Sequence, residues 1–254
     1  MEGRLQPHRS RYWLNHDRAA DPEAFDAAVV EVSDLYAAAT ELREAGVHVI
    51  STDEKTGIQA LERAHPTRPM VPGLEERREF EYIRHGTQAL IANFEVATGS
   101  IVSPSIGPTR TEKDFVEHIA RTIDLDKDAS WVFIVDQLNT HKSESLVLLV
   151  ADRCSLDGDL GVKGKSGVLE SMAIRAAFLS DPSHRIRFVY TPPHTSWLNQ
   201  IEIWFSILVR RLLRRASFTS TEDLATRIRA FIEYFNHTMA KPFKWTCTGR
   251  PLAA

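Results

Sequence analysis

The sequence has few cysteines, no long apolar run and no strong excess of charge of one sign. Only Cys154 and Cys247 occur, far apart, which excludes a disulfide scaffold and a cysteine-rich zinc site. No stretch approaches the length of a membrane span, and the N-terminus lacks the apolar region of a signal peptide. A formal net charge of −3 excludes a uniformly basic nucleic-acid coat. These absences predict a cytoplasmic protein with no membrane partner.

The chain is long enough to bury a core without disulfides or structural metals. It has 254 residues, of which 43% are hydrophobic and 26% charged, as is ordinary for one large globular domain or two small ones. A first helix is predicted after Asp21, a helix-capping residue followed by Pro22, and it is predicted to stop at Gly46. We interpret residues 1–46 as a linker and helix that precede a core over residues 47–254.

Apolar runs and capping residues predict the remaining elements. Strands are predicted at 47–52, twice within 87–106, at 131–135 and at 186–190. Helices are predicted at 111–123, 143–152, 197–215 and 220–237, and residues 62–81 are predicted to be irregular. A hairpin followed by alternating strands and helices predicts an α/β fold, with a mixed sheet flanked by helices.

Three carboxylates lie where sites are built in such folds. Asp53 and Asp136 each follow a short buried strand, and ligands of open α/β sheets bind at strand ends. Glu202 falls on the apolar arc of the 197–215 helix, where an uncompensated acid is costly. Converging carboxylates with water are a ligand set for Mg²⁺ or Mn²⁺. Spacing alone leaves open that these acids are helix caps, turn residues or a rim position of an amphipathic helix.

Three ordered motifs carry a family resemblance. They are STDEKTG at 51–57, VDQLNTHKS at 135–143 and TPPHTSWLNQIEIWF at 191–205. Together they resemble the DDE transposases of bacterial insertion sequences, in the mariner-related insertion-sequence-630 family, over roughly residues 47–251. The resemblance implies a ribonuclease-H-like catalytic core. It also implies that Asp53, Asp136 and Glu202 are the catalytic triad, binding two Mg²⁺ or Mn²⁺ ions.

The implied activity is phosphodiester cleavage and strand transfer at the ends of an insertion sequence. Two alternatives stay open: a nuclease of the same fold without strand transfer, and an inactive or recruited copy that only binds DNA or a partner. His141 and Asn139 are candidate auxiliary residues. His141 would orient water or phosphate, or else is a helix-entry histidine without a catalytic role. Glu54 is interpreted as a surface acid.

The sequence departs from the family pattern in three places. Gln137 stands where the family has Asn after the second Asp, and Gln200 stands where it has Pro before the Glu. Neither change removes a metal ligand. Asp136 and Glu202 are separated by 65 residues, more than is usual in the family, so we interpret residues 154–185 as an inserted loop.

DNA is the expected partner. Arg210 and Arg214 are candidate phosphate contacts, and Trp197 is a candidate for stacking on a base. Family members usually carry helix-turn-helix modules before the core, whereas about 46 residues precede the first strand here. We therefore expect a catalytic half, produced by truncation or encoded as one of two reading frames. The protein partners considered are a second copy and a separately encoded helix-turn-helix half. Arg4, Arg9 and Arg11 would belong to a linker along DNA.

Overall fold

The structure is a computed structural model that describes residues 21–77 and 79–247. Arg4, Arg9 and Arg11, which are predicted to belong to a linker along DNA, lie outside the described residues. The first helix, α1, runs over Pro22–Glu44, and the Asp21 carboxylate accepts a hydrogen bond from the Ala24 amide at 2.9 Å. Gly46 follows the helix with a φ of +80°, a conformation that glycine adopts at little cost. Both predicted ends of this helix are confirmed.

A five-stranded mixed sheet forms the centre of the molecule. Its strands are β1 (Val47–Arg63), β2 (Tyr82–Glu95), β3 (Ser100–Gly107), β4 (Ser130–Val135) and β5 (Ile186–Tyr190), arranged in the order β3-β2-β1-β4-β5. The strands β1, β2 and β3 pair antiparallel, whereas β4 is parallel to both β1 and β5. The predicted mixed sheet is confirmed.

The strand β1 is much longer than its sequence predicts. Its parallel pairing with β4 ends at Ser51, opposite Ile134. The strand then continues through Asp53 and the following charged residues, because they remain paired with β2. The prediction that β1 ends at Asp53 is therefore wrong: the charged segment ends the parallel pairing, and the antiparallel hairpin carries the strand on to Arg63. Glu62 and Arg63, predicted to be irregular, belong to β1. Residues 64–77 and 79–81 are irregular as predicted, apart from two isolated bridges.

Helices cover both faces of the sheet. They are α2 (Glu112–Ile123), α3 (Glu144–Arg153), α4 (Met172–Leu179), α5 (Ile201–Leu208) and α6 (Thr221–Thr238). Thr111 and Asp114 form the predicted capping box of α2, and Ser143 caps α3 through the Leu146 amide. Among the described helices, none is long and apolar enough to cross a bilayer.

Two apolar clusters pack against the sheet. One lies among α1, α5 and α6 and includes Val32, Phe94, Trp204 and Phe235. The other lies under α2, α3 and α4 and includes Phe115, Phe133, Leu146, Leu179 and Phe188. Because α1 shares a core with the sheet, this helix belongs to the folded unit. Residues 154–185 are likewise more than a loop, since they contain α4 and place Leu179 in the second cluster.

The helix after β5 is not the single helix predicted at 197–215. A 3-10 turn at Ser196–Leu198 comes first, α5 follows from Ile201, and a π-helical segment spans Val209–Leu213. In that segment the Arg214 amide donates to the Val209 carbonyl, five residues earlier, at 2.9 Å. The extra residue in this turn changes which arginines share a face.

The last described segment packs back onto the first cluster. The Phe243 ring stacks on Phe94 at 4.5 Å between centroids, and the Trp245 ring meets Tyr36 edge-on at 4.8 Å. Where this segment passes the β2–β3 turn, Gly99 has a φ of +73° and faces the backbone of Lys241. The turn and the segment therefore approach each other backbone to backbone.

Candidate active site

Asp53 and Asp136 lie at the carboxyl edge of two neighbouring parallel strands. Asp53 follows the last pair between β1 and β4, and Asp136 follows β4 directly. The Asp53 carboxylate accepts hydrogen bonds from the Glu54 amide at 2.7 Å and from Asn199 Nδ2 at 3.2 Å. Asp136 Oδ1 accepts one from the Leu138 amide at 2.9 Å. The sheet thus brings together two acids that are 83 positions apart in the sequence.

Glu202 is exposed in the first turn of α5, so its predicted place on a core-facing arc is wrong. The helix begins four residues later than predicted, and its buried stripe consists of Ile201, Trp204, Phe205 and Leu208. Glu202 lies beside that stripe and turns toward the cleft that Asp53 and Asp136 also line. The helix tolerates the acid because the Glu202 side chain is exposed to this cleft, and no positive charge in the core is needed to balance it.

The cleft has a volume of about 650 Å³, and most of the residues that line it are of polar or charged types. Besides the three acids, it is lined by residues of the β4–α3 and β5–α5 connections, including Asn139, Thr195 and Ser196. Among residues 21–77 and 79–247, no three His, Cys, Asp or Glu side chains are close enough to hold an ion as they stand. The acids therefore share a cleft without forming a closed ligand cluster.

The acids influence one another electrostatically. The pKa of Asp53 is raised to about 7, chiefly by burial and in addition by the negative charges of Asp136, Glu54 and Glu202. The hydrogen bond from the Glu54 amide opposes this shift. The pKa of Asp136, by contrast, lies below its usual value: burial acts to raise it, but hydrogen bonds from His141 and the Leu138 amide outweigh that effect.

His141 joins Asp136 to Glu54 beneath the cleft. Its Nδ1 lies 2.9 Å from Asp136 Oδ1, and its Nε2 lies 3.1 Å from Glu54 Oε1. The side chains of His141 and Glu54 are 0% and 2% exposed, so the interpretation of Glu54 as a surface acid is wrong. Burial acts to lower the pKa of His141, but the two carboxylates raise it to about 9. The ring is therefore protonated at neutral pH and donates in both directions.

Asn199 fixes Asp53 from the third motif, and sequence reasoning did not single it out. The Asn199 side chain is buried, accepts a hydrogen bond from the Ser51 hydroxyl, and donates to the Thr52 carbonyl at 3.1 Å as well as to Asp53. The signal was its place three residues before Glu202. Nearby, the Tyr36 hydroxyl donates to the Leu198 carbonyl at 2.8 Å and accepts from the Gln200 amide at 3.3 Å. Through these bonds α1 supports the start of α5.

Two further residues line the cleft that were not candidate site residues. Arg110 lies just before α2, and His194 lies in the β5–α5 connection with a φ of +62°; both line the cleft. Arg110 lies outside the three motifs and His194 lies within the third, but spacing along the chain assigns a site role to neither, and the tertiary structure places both at the cleft. The candidate auxiliary residue Asn139 is exposed on a 3-10 turn and lines the same cleft.

The candidate DNA contacts lie away from the cleft lining. Trp197 is 55% exposed, and its stacking role stays a prediction. Arg210 lines a separate hollow of about 430 Å³ together with Ile207, Arg211, Arg215 and Met239. Arg214, the other candidate phosphate contact, does not line this hollow. The π-helical turn groups Arg210 with Arg215 instead.

The family model described as DDE superfamily endonuclease matches residues 48–225. The match covers more than half of the chain and includes all three motifs, and the chain belongs to the DDE superfamily of endonucleases. No curated protein matches it.

Solved structures of a transposase called Mos1 share the fold. The Mos1 transposase paired-end complex with the left transposon end and the Mos1 mariner paired-end complex with Mn each match with a TM-score of 0.53. A pre-cleavage Mos1 transpososome matches with a TM-score of 0.50. In all three, the identity is 11%, and the match covers 91% of this chain and 60% of the Mos1 chain. The ribonuclease-H-like fold is thereby confirmed, and the chain spans about 60% of the length of these relatives.

Proposed function

We propose that this chain is the catalytic domain of a metal-dependent DNA transposase, which cuts a phosphodiester bond and joins the resulting end to a new strand. The single observation that carries this function is the meeting of Asp53, Asp136 and Glu202 in one cleft of a DDE-superfamily fold. Each acid comes from a different motif, and each is at least partly exposed to the cleft. The named Mos1 complexes with transposon ends agree with DNA as the partner.

The donor set fits divalent cations. Asp53, Asp136 and Glu202 offer carboxylate oxygens, which hard ions such as Mg²⁺ and Mn²⁺ prefer. The charges of Asp136 and Glu202 raise the pKa of Asp53, as expected where neighbouring acids lack enough positive charge between them. When bound, such ions would stabilise the attacking and leaving oxygens of the displacement at phosphorus. The Mos1 complex with Mn supports the same choice of ion.

The other residues of the cleft position the acids and the DNA. Asn199 and the Glu54 amide hold Asp53, while His141 and the Leu138 amide hold Asp136. Asn139 lies at the cleft wall, where its amide can contact water or a phosphate oxygen. Arg110 brings positive charge to the same cleft, which suits the phosphate of a bound strand.

Two assays test this function on the 254-residue chain. The first measures cleavage of plasmid DNA with Mg²⁺ or Mn²⁺ and with excess EDTA; the second measures joining of an oligonucleotide with a pre-cut 3′-hydroxyl end to a target duplex. We expect both activities with either ion and neither with EDTA. Glu202→Gln should lower both by about a thousandfold or more, as expected for loss of charge stabilisation at the transition state, whereas Glu233→Gln, at an exposed position on α6, should leave both unchanged.

The outcomes separate the alternatives. Cleavage without joining would identify a nuclease of the same fold. If DNA is bound but neither cut nor joined with either ion, the chain is a binding protein and the proposed function is wrong. Equal activity of Glu202→Gln and Glu233→Gln would remove Glu202 from the site.

The arginines of the π-helical turn should contribute to DNA affinity as a group. Replacing Arg210, Arg211 and Arg215 together with glutamine should lower affinity for random duplex DNA and reduce the slope of log affinity against log salt. The expected reduction is about one unit for each phosphate that an arginine no longer neutralises, and so up to about three. The measurement is a filter-binding titration between 50 and 200 mM salt. Arg214→Gln is the matched control, because this exposed arginine does not line the hollow. An unchanged slope in the triple variant would show that the hollow does not meet DNA.

A further inference from the structure

We propose that Glu54 and His141 are positioning residues for Asp136, a role that rests on the function proposed above. The pair holds one carboxylate oxygen of Asp136 from beneath the cleft and leaves the other oxygen for the metal. Both side chains are buried, and although Glu54 is among the residues that line the cleft, the role proposed for the pair is exerted through Asp136.

The contacts on Asp136 are one-sided. His141 Nδ1 lies 2.9 Å from Oδ1, and the Leu138 amide donates to the same oxygen at 2.9 Å. Within the described part of the chain, Oδ2 accepts no hydrogen bond, and the side chain remains 47% exposed. A carboxylate held by one oxygen has a fixed rotamer, so its second oxygen points in one direction toward the cleft.

The histidine is itself fixed from three sides. Its Nε2 lies 3.1 Å from Glu54 Oε1, its ring packs on Phe115 at 4.4 Å between centroids, and its carbonyl accepts a hydrogen bond from the Tyr190 hydroxyl at 2.8 Å. These partners come from β1, α2 and β5. The ring therefore has little freedom to rotate away from Asp136.

Glu54 also ties the two halves of the site together. It directly follows Asp53 on β1, and it reaches a histidine that lies five residues after Asp136. The linked side chains of Glu54, His141 and Asp136 thus connect the strand that carries Asp53 to Asp136. They set the distance between Asp53 and Asp136. A buried charged network of this kind costs desolvation energy, and apolar side chains of similar size are often as stable or more so. We therefore expect this network to contribute to metal binding at the site rather than to the stability of the fold.

Residues that hydrogen-bond to metal ligands affect metal binding by a known amount. Removing one typically lowers metal affinity or activity 10- to 100-fold.

Two substitutions of His141 separate positioning from packing. The side-chain nitrogen of asparagine occupies the place of Nδ1, so His141→Asn keeps a donor toward Asp136 and loses the reach to Glu54. Glutamine places its nitrogen near Nε2, so His141→Gln keeps the reach to Glu54 and loses the donor toward Asp136. Binding of Mn²⁺ to the DNA-free protein is measured by calorimetry and by the signal of free Mn²⁺ in electron paramagnetic resonance, with urea unfolding of each variant alongside.

We expect His141→Gln to weaken Mn²⁺ binding 10- to 100-fold and His141→Asn to weaken it less than about threefold, although both lose stability. Equal Mn²⁺ affinity in the two variants, whether reduced or not, would overturn the positioning role. If His141→Gln does not fold, the pair Glu54→Gln and Glu54→Leu replaces it: only the leucine variant loses the acceptor for Nε2, so it alone should lose affinity by about tenfold or more, and equal affinity would again overturn the role.

Asp136→Asn distinguishes failure of this inference from failure of the proposed function. It should weaken Mn²⁺ binding more than any variant of His141 or Glu54, because it removes a ligand rather than its support. If the unmutated chain and Asp136→Asn bind Mn²⁺ equally, the metal site itself is absent and the proposed function fails first. If Asp136→Asn loses binding while the His141 pair stays equal, only the positioning role fails.

Discussion

Replacing Asp53 with asparagine should abolish DNA cleavage and, in the same protein, raise the stability of the metal-free fold. Cleavage should fall by about a thousandfold or more, because the substitution removes a charge from the proposed metal site. Stability should rise because the folded protein disfavours the ionised carboxylate: burial and three neighbouring acids raise the pKa of Asp53 from 3.8 to about 7. Loss of cleavage together with a gain in stability would indicate that the fold keeps the Asp53 carboxylate for binding a ligand, at a cost in stability.

The gain should depend on pH in a defined window. Between about pH 4 and pH 7 the unfolded chain releases the Asp53 proton while the folded chain retains it, so the unmutated protein loses stability as pH rises and levels off above about pH 7. The variant lacks this loss, and its advantage grows over the same window. The upper limit is about 4 kcal/mol at about 1.4 kcal/mol per pKa unit. We expect about 1–3 kcal/mol, because asparagine offers one oxygen where Asp53 accepts from two donors.

Urea unfolding in EDTA from pH 4.5 to pH 8 measures this difference. Asp34→Asn, at an exposed position on α1, is the matched control and should show no such growth with pH. Mg²⁺ at about 1,000 times its Kd should reverse the order at pH 8, because it adds about 4.1 kcal/mol to the protein that binds it, more than the advantage expected for the variant. A difference between Asp53→Asn and the unmutated chain that is constant with pH would contradict the assignment of the raised pKa.

Replacing Gly99 with alanine should be among the most destabilising changes to a surface turn of this protein. The added methyl group would lie 1.9 Å from the Lys241 carbonyl oxygen, and the backbone has a φ of +73°. The conformation alone costs about 1–2 kcal/mol, and relief of the overlap by moving backbone adds about 1–3 kcal/mol. We expect a total loss of about 2–5 kcal/mol in urea unfolding.

Gly57→Ala separates the two contributions. Gly57 has a φ of +63° but no atom within 4 Å of an added methyl group, so it should lose only the conformational part. Equal losses at the two positions would mean that the segment at Lys241 does not press on the β2–β3 turn. A larger loss at Gly99, together with weakened packing of Phe243 and Trp245, would confirm that it does.

Local signals in the sequence account for most of the fold. Asp21, Thr111 and Ser143 cap their helices as predicted, because capping depends on a few neighbouring residues. The strands β4 and β5 were predictable from short apolar runs, since both are buried on two faces. Asp53 and Asp136 were recognisable as site candidates because they follow the parallel pairing of β1 and β4.

The errors arise where distant residues decide local structure. The charged segment after Thr52 stays in a strand only because β2 pairs with it. Glu54 is buried because it meets His141, 87 residues later in the chain. Whether Glu202 faces the core or the cleft depends on the residue at which α5 begins. The Tyr36 hydroxyl, on α1, helps to fix that residue through its hydrogen bonds to Leu198 and Gln200. None of these partners can be read from spacing along the chain.

The central place of β1 in the sheet bears on how the protein acquires its site during synthesis. The hairpin of β1, β2 and β3 is local in sequence and can form soon after it leaves the ribosome, whereas β4 and α5 pack on β1 only when much later residues are available. About 150 residues separate Asp53 from Glu202, which is roughly 10–30 s of translation. Until the end of that interval the nascent chain lacks at least one of the three acids, so the proposed metal site can be complete only in the finished domain.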